Sequence, residues 1–312
     1  MKTISAEGLG EGEQEIIDAF QRLYFEISNF EPGSGQGELA ASPALRWLGV
    51  PVSKCPLDLW MYQEIIYEKR PQLVVETGTQ YGGSALFLAS MLDLVGDGRV
   101  VTVDIEACEA QPHHARVRVE HPRIDYLLGS STSGDVVARV KELAAGAERV
   151  MVILDSDHSM EHVLEELSVY CDVVTDGQYM IVEDTCVNGH PVFESFGPGP
   201  MEALERFLSQ DSRFVIDKSR EKLLVTFQPN GYLLKGPRAG GQKPPAGRWR
   251  LSSLVPTSLD DLTEQIRLKD DELEKAADYA GTLLGEIEAK DLEIERMAGL
   301  IRRLEAGPQA PS

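Results

Sequence analysis

The stretch LVVETGTQYGGSALFLASML, residues 73–92, decides the fold of this chain. Residues 73–75 form a short apolar run with β-branched side chains, which predicts a buried strand. The glycines Gly78, Gly82 and Gly83 follow, and an apolar run of helical character occupies residues 85–92. A strand, a glycine turn and a helix in this order bring backbone N–H groups close to a ligand. The stretch therefore predicts a binding turn, although an ordinary turn between a strand and a helix has the same pattern.

The chemistry of this turn limits the kind of ligand. Its glycines are spaced GxxxGG, which differs from the GxGxxG fingerprint of dinucleotide-binding proteins. Glu76 lies two residues before the first glycine, and its carboxylate would repel a pyrophosphate. A cationic amino-acid ligand suits that carboxylate better.

The rest of the chain alternates predicted strands and helices, which indicates an α/β fold with a doubly wound, mostly parallel sheet. Strands are predicted at residues 73–76, 100–104, 124–128, 150–155 and 179–183. Helices are predicted between them at residues 83–94, 134–145 and 160–170. Two further helices are predicted ahead of the first strand, at residues 14–28 and 57–69. A closing pair of strands is predicted at residues 213–217 and 223–228.

Polar residues after the second and third strands fit a nucleoside. Asp104 ends the second strand, where an acidic side chain can accept both hydroxyls of a ribose. A similar acid does the same in NAD enzymes, so this residue alone does not choose between cofactors. Together with Glu76 it favours S-adenosylmethionine. Ser130 follows the third strand, where the edge of an adenine would lie.

Acidic residues also crowd the ends of the fourth and fifth strands. Asp155, Asp157 and His158 follow one strand in MVILDSDHS, and Glu183 and Asp184 follow the next in MIVEDT. Because the carboxyl ends of parallel strands open on one edge, four carboxylates would meet there and repel one another without a counter-ion. Oxygen ligands suit a hard cation such as Mg²⁺. Either Asp157 or Ser159 could instead cap the helix that follows, which would account for at most one of the acids.

Four motifs, ETGTQYGGSALFLA, ILDSDHS, IVEDT and NGHPV, resemble the cephalosporin hydroxylase family over about residues 52–234. That family has the class I S-adenosylmethionine-dependent methyltransferase fold and includes rhamnosyl O-methyltransferases. The resemblance implies a Mg²⁺ site made by Glu183, Asp184 and one upstream aspartate, either Asp155 or Asp157. It also implies a cofactor pocket formed by Glu76, Gly78, Gly82, Ser84 and Asp104. Thr79, Ser130 and Asp155 are further predicted cofactor-binding residues.

The predicted activity is Mg²⁺-dependent methylation of a sugar hydroxyl, on a glycan such as a bacterial polysaccharide. A sugar hydroxyl is a poor nucleophile, so the cation would lower its pKa and a base would take its proton. His158 is the first candidate for the base, unless it only orients a carboxylate, and His190 is the second. Two alternatives remain: a hydroxylase-type tailoring protein that works with a partner, and a non-enzymatic scaffold.

Composition narrows the partners. The net charge of −21 disfavours nucleic acid and anionic membranes as general partners. No run of about 18 apolar residues predicts a membrane span, and residues 1–15 lack the apolar core of a signal peptide. The four cysteines, Cys55, Cys108, Cys171 and Cys186, are scattered and are expected to be free thiols. A cytoplasmic protein with a small-molecule or glycan acceptor is therefore expected.

The sequence divides into four predicted parts. Residues 1–51 form a helical N-terminal segment, residues 52–235 the methyltransferase domain, and residues 236–258 a linker rich in glycine and proline. Residues 259–305 carry seven heptads whose a and d positions are apolar except for Lys269 and Lys290. This pattern predicts a coiled coil and hence a homo-oligomer.

Overall fold

The structure, a computed structural model, describes residues 10–29, 45–107 and 119–236. A small hairpin precedes the sheet and consists of β1 (Arg46–Trp47) and β2 (Val50–Pro51). Seven strands then form the central sheet: β3 (Leu73–Thr77), β4 (Arg99–Asp104), β5 (Ile124–Leu128), β6 (Val150–Leu154), β7 (Tyr179–Val182), β8 (Phe214–Ile216) and β9 (Tyr232–Lys235). Their order across the sheet is β5-β4-β3-β6-β7-β9-β8.

The first five strands of this sheet are parallel, and β9 and β8 are added antiparallel at one edge. Helices cover both faces. The described α-helices are α1 (Glu11–Asn29), α2 (Pro56–Lys69), α3 (Gly83–Val95), α4 (Gly134–Ala144), α5 (Met160–Tyr170) and α6 (Pro200–Leu208). The predicted α/β fold with a doubly wound, mostly parallel sheet is confirmed.

The core has two layers because neighbouring residues of each strand point to opposite faces of the sheet. On β3, Leu73 and Val75 belong to the cluster that includes residues of α4, α5 and α6. Val74 belongs to the opposite cluster, which includes residues of α2 and α3. Strands buried on both faces are nearly continuous apolar runs, which is why β3 and β6 are so apparent in the sequence.

The direction of winding reverses between β3 and β6, and ligands of such sheets bind in the crevice at this point. The two strands approach closely at their carboxyl ends. Gly78 has φ +86°, and a Cβ built on it would lie 1.9 Å from the backbone oxygen of Asp155. Only glycine therefore fits directly after β3.

One predicted strand is wrong. Residues 223–228 form no strand, and the partner of β8 is β9. The apolar residues of this segment suggested a strand, but its polar groups bond to α2. Asp58 accepts hydrogen bonds from Oγ1 of Thr226 at 2.6 Å and from the backbone N–H of Phe227 at 2.8 Å. Leu224 has φ 72°, which also breaks an extended path.

The predicted N-terminal helix corresponds to α1, which packs on this same segment. Gln21 donates to the backbone oxygen of Thr226 at 2.6 Å, and the rings of Phe25 and Phe227 are 5.2 Å apart. The described helices include none that is both long and apolar enough to cross a membrane. The predicted linker at residues 236–258 extends past the last described residue, Gly236, and the predicted coiled coil lies entirely outside the described residues.

Candidate active site

A cavity of about 520 Å³ opens at the carboxyl edge of the sheet, where the winding reverses. The ends of β3, β4, β5, β6 and β7 all contribute to its lining. The predicted site residues among the lining are Gly78, Asp104, Ser130, Asp155, Asp157, His158 and Asp184. The structure therefore brings together most of the residues that the sequence predicted.

Glu76 lies within β3 and is fully buried below this cavity. Its Oε2 accepts a hydrogen bond from Oγ1 of Thr102 at 2.7 Å, and Thr79 contacts the same hydroxyl at 2.7 Å. Its Oε1 has no hydrogen-bond partner among the described residues. Burial raises the pKa of Glu76, and the nearby Lys54 ammonium opposes that rise. A buried carboxylate oxygen without a donor is a suitable acceptor for a ligand cation.

The glycine turn places the start of α3 against the hairpin. Gly82 precedes α3 with φ +77°, and a Cβ on Gly83 would lie 2.0 Å from the backbone oxygen of Pro51. Ser84 is buried in the first turn and lines a smaller recess beside Lys54 and Thr79. The turn therefore presents the helix N-terminus, with its partial positive charge, next to the cavity.

Asp104 is positioned by backbone groups at the end of β4. Its Oδ2 accepts from the N–H of Gln80 at 2.8 Å, and its Oδ1 accepts from the N–H of Glu106 at 3.0 Å. Each oxygen can accept one further hydrogen bond. Asp104 and Ser130 both line the cavity, as the sequence predicted for a nucleoside.

The ends of β6 and β7 form a compact group that could hold a cation. Asp155, His158 and Asp184 each offer one atom that could bind a metal ion, and these three atoms lie within 4.8 Å of one another. Nδ1 of His158 is 3.1 Å from Oδ2 of Asp184, and its Nε2 is 3.7 Å from Oδ1 of Asp155. Carboxylate oxygens and imidazole nitrogens are both ligands of divalent ions in proteins.

The electrostatics of this group reflect its burial. Burial alone would lower the pKa of His158, but Asp184 and Asp155 raise it to about 9. Burial and the neighbouring Glu183 raise the pKa of Asp155, whereas Lys54 opposes that shift. Negative charge therefore exceeds positive charge around His158.

Two other predicted site residues, Asp157 and His190, lie outside this three-residue group. Asp157 lines the cavity, but its Oδ1 accepts from the backbone N–H of Ser159 at 2.8 Å, just ahead of α5. This hydrogen bond closes a local turn ahead of α5, whose N-cap residue is Ser159. Asp157 therefore does not cap the helix, and it lies outside the three-residue group. His190 is absent from the cavity lining, and its Nε2 is 2.9 Å from Oε1 of Glu202.

Glu183 faces the interior. Its Oε1 accepts from the hydroxyl of Tyr62 at 2.6 Å and is 2.6 Å from Nζ of Lys54. Lys54 also donates to Oδ2 of Asp155. Burial alone would lower the pKa of Lys54, but Asp155 and Glu183 raise it, so this ammonium is charged.

Sequence reasoning missed Lys54, Tyr62 and His162. Lys54 is a single cation in the irregular segment PVSKCP, where no periodicity predicts its direction. His162 lies on the first turns of α5 and lines the cavity, with Nε2 near the hydroxyls of Ser131 at 3.1 Å and Ser156 at 3.0 Å. Its place in the first turn of the helix predicted at residues 160–170, directly after the acidic strand end, was a signal that could have identified it.

The family model described as Rhamnosyl O-methyltransferase/CmcI matches residues 40–236. The chain belongs to this family. The predicted resemblance is therefore confirmed, and the sheet described above is the class I methyltransferase fold of its members.

Two proteins named Rhamnosyl O-methyltransferase are similar to this chain in sequence. A protein named Rhamnosyl O-methyltransferase from Mycobacterium tuberculosis (strain ATCC 25618 / H37Rv) is 37% identical over 193 residues, which are 61% of this chain and 77% of that protein. Its namesake from Mycobacterium leprae (strain TN) is also 37% identical over 193 residues, with 61% of this chain and 82% of that protein covered.

Solved structures of CmcI are more distant. The CmcI-N160 apo-structure has a TM-score of 0.49 and 19% identity, and the match covers 65% of this chain and 80% of that one. The CmcI-D160 structure with Mg and SAM has a TM-score of 0.49 and 17% identity, and the match covers 68% of this chain and 84% of that one.

Proposed function

We propose that this chain is a Mg²⁺-dependent O-methyltransferase that uses S-adenosylmethionine and methylates a sugar hydroxyl. The observation that carries the proposal is the position of Asp155. It lines the same cavity as Asp104 and Ser130 and also belongs to the group formed with His158 and Asp184. A nucleoside cofactor and a deprotonated hydroxyl would therefore meet beside this residue.

The cofactor is supported by residues around the glycine turn. The unpartnered Oε1 of Glu76 and the turn at Gly78, Thr79, Gly82 and Ser84 suit the amino-acid end of S-adenosylmethionine. The remaining acceptor capacity of Asp104 suits the ribose, and Ser130 lies where the base would follow. These positions are connected because the larger cavity and the smaller recess share Gly78, Gln80 and Asp155.

Asp155 and Asp184 would hold the Mg²⁺, since this ion prefers oxygen ligands and their oxygens lie close enough together. Asp157 and Glu183 are further predicted ligands, although Asp157 accepts from the backbone N–H of Ser159 and Glu183 accepts from Lys54 and Tyr62. When bound, S-adenosylmethionine supplies a methyl group on a sulfonium, and Mg²⁺ supplies positive charge that lowers the pKa of a nearby hydroxyl.

His158 is the base in this proposal. With Asp184 accepting the proton on Nδ1, the neutral ring has its lone pair on Nε2. That nitrogen would take the proton of the acceptor hydroxyl, which leaves the oxygen free to accept the methyl group that a bound cofactor would supply. A cation held by Asp155 and Asp184 would offset the two carboxylates that raise the pKa of His158, which favours the neutral ring.

A sugar acceptor is supported by the relatives named Rhamnosyl O-methyltransferase, of which the chain covers 77% or more. A glycan, including the terminus of a bacterial polysaccharide, fits that class. Calorimetry with S-adenosylmethionine tests the cofactor part: binding in the micromolar range is expected, and binding of NADH instead would contradict it.

The domain division, the cytoplasmic location and the coiled coil belong to the same proposal. Ile occupies four of the seven a positions in residues 259–305, which favours self-association. Light scattering on the full chain and on a chain ending at Gly236 tests this. The full chain is expected in the higher oligomeric state, and equal states would contradict a coiled-coil oligomer.

A further inference from the structure

Lys54 is a buried cation at the edge of the candidate metal site. It lies between β2 and α2, and the residue is only 6% exposed. Its ammonium donates to Oδ2 of Asp155 and lies 2.6 Å from Oε1 of Glu183. An ammonium buried to this extent needs both carboxylates, because water cannot solvate it.

One of these two carboxylates, Asp155, also belongs to the candidate metal site. Asp155 is shared, since its other oxygen, Oδ1, faces Nε2 of His158 at 3.7 Å. Asp155, His158 and Asp184 are the group that could hold an ion. A divalent cation bound there would lie close to the Lys54 ammonium, and the two positive charges would repel each other.

Glu183 is fixed on the side of Lys54. The hydroxyl of Tyr62 donates to Glu183 at 2.6 Å, and its oxygen accepts from Nε2 of Gln228 at 2.7 Å. Tyr62 and Gln228 are both buried. Oε1 of Glu183 can therefore bind a metal ion only if the ion pair with Lys54 is broken.

We propose that Lys54 is a resident cation that competes with the divalent ion for Asp155 and Glu183. Lys54 keeps the acidic group neutralised and folded when no metal is bound, and it lowers the metal affinity of the site. This inference rests on the proposed function, because it concerns the metal of that same site. It makes Lys54 a positioning residue for the carboxylates rather than a catalytic residue.

The test is the Lys54→Met variant, which keeps the length of the side chain and removes its charge. Binding of Mn²⁺ is measured by electron paramagnetic resonance, with no turnover involved. We expect affinity at least about tenfold tighter than in the unaltered protein, because the repulsion and the competition are removed. Equal or weaker affinity would overturn the proposal.

Two matched variants serve as controls. Lys54→Arg keeps the charge and should bind Mn²⁺ no more tightly than the unaltered protein. Lys235→Met removes the charge of another buried lysine, which donates to the backbone oxygens of Cys171 and Val174 and does not line the cavity. It should leave Mn²⁺ affinity unchanged, and a tenfold gain in either control would contradict the proposal.

A measurement on the unaltered full chain covers the case in which Lys54→Met does not fold. In protein labelled with ¹⁵N-lysine, the Nζ signal missing from Lys54→Arg belongs to Lys54. Addition of Mg²⁺ should shift or remove this signal, and an unchanged signal in the presence of bound Mg²⁺ would overturn the proposal.

If the unaltered protein and all variants bind no divalent ion, the proposed function loses its metal. If the unaltered protein binds Mn²⁺ and Lys54→Met binds it no better, only this inference fails.

Discussion

His158 and Asp184 are joined by a contact of 3.1 Å between Nδ1 of the ring and Oδ2 of the carboxylate. The two residues lie in the loops that follow neighbouring parallel strands, β6 and β7, so the sheet brings them to the same edge. The contact sets the tautomer of His158 and leaves Nε2 as the nitrogen that can accept a proton. Asp184 thus has two tasks in the proposed mechanism, to orient the base and to hold the cation.

The first prediction concerns the base. His158→Gln should lower kcat by about 10²- to 10⁴-fold, the usual range for a lost general base, while leaving the affinity for S-adenosylmethionine nearly unchanged. Steady-state kinetics and calorimetry measure the two effects. His190→Gln is the comparison, since His190 contacts Glu202 and does not line the cavity. A larger loss in His190→Gln than in His158→Gln would reverse the assignment.

The second prediction concerns the cofactor. Asp104→Ala should weaken S-adenosylmethionine binding at least about tenfold, because the ribose hydroxyls would lose a charged acceptor. The variant also loses the contact between Asp104 and the N–H of Gln80, so circular dichroism must show an intact fold. Unchanged affinity in a folded variant would remove Asp104 from the binding site.

The third prediction concerns Gly78, where the chain after β3 passes close to the backbone of Asp155. Gly78→Ala should lower the free energy of unfolding by about 3 kcal/mol or more, because its Cβ would overlap the backbone oxygen of Asp155. Gly177→Ala is the matched control, with a similar φ of +80° but open space around the Cβ. It should cost only about 1 kcal/mol. Denaturant unfolding compares the two, and equal losses would contradict the overlap.

The fourth prediction concerns pH and stability. Burial raises the pKa of Asp58 from 3.8 to about 7, despite hydrogen bonds from Thr226, Phe227 and Tyr232. A raised carboxyl pKa means that the folded state holds the proton more tightly than the unfolded state does. The stability from this group is therefore complete below about pH 4 and is lost as the pH rises through 7.

Comparison with Asp58→Asn isolates that contribution. Relative to the variant, the unaltered protein should lose up to roughly 4 kcal/mol of unfolding free energy between about pH 4 and pH 7. Denaturant unfolding at several pH values measures the difference. Curves that stay parallel over this range would show that Asp58 does not titrate there.

The sequence predicted the sheet well because the relevant information is local. Residues 73–75 and 150–154 are apolar runs of strand length, and the polar residues that follow them mark the carboxyl edge. Parallel strands bring their ends together whatever the details of packing. For this reason the nearness of Asp155, His158 and Asp184 followed from sequence alone.

The remainder depended on contacts between distant parts of the chain. Lys54 meets Asp155 across 101 positions, and Tyr62 meets Glu183 across 121. No local pattern predicts such pairs. The strand predicted at residues 223–228 was wrong for the same reason. Its apolar residues suit a strand, but Asp58 of α2 accepts a hydrogen bond from the backbone N–H of Phe227, which keeps the segment out of the sheet.

Transfer of a labelled methyl group from S-adenosylmethionine to a rhamnose-terminated glycan tests the central claim most directly. The purified full chain is assayed with Mg²⁺, with EDTA, and with Mg²⁺ restored in excess over EDTA. We predict incorporation of the label into an alkali-stable ether with Mg²⁺, loss of incorporation in EDTA, and recovery when Mg²⁺ is restored. The reason is that the cation held by Asp155 and Asp184 would lower the pKa of the acceptor hydroxyl. Full incorporation in EDTA would contradict the proposed metal mechanism, and the absence of transfer from a protein that binds both ligands would contradict the proposed activity.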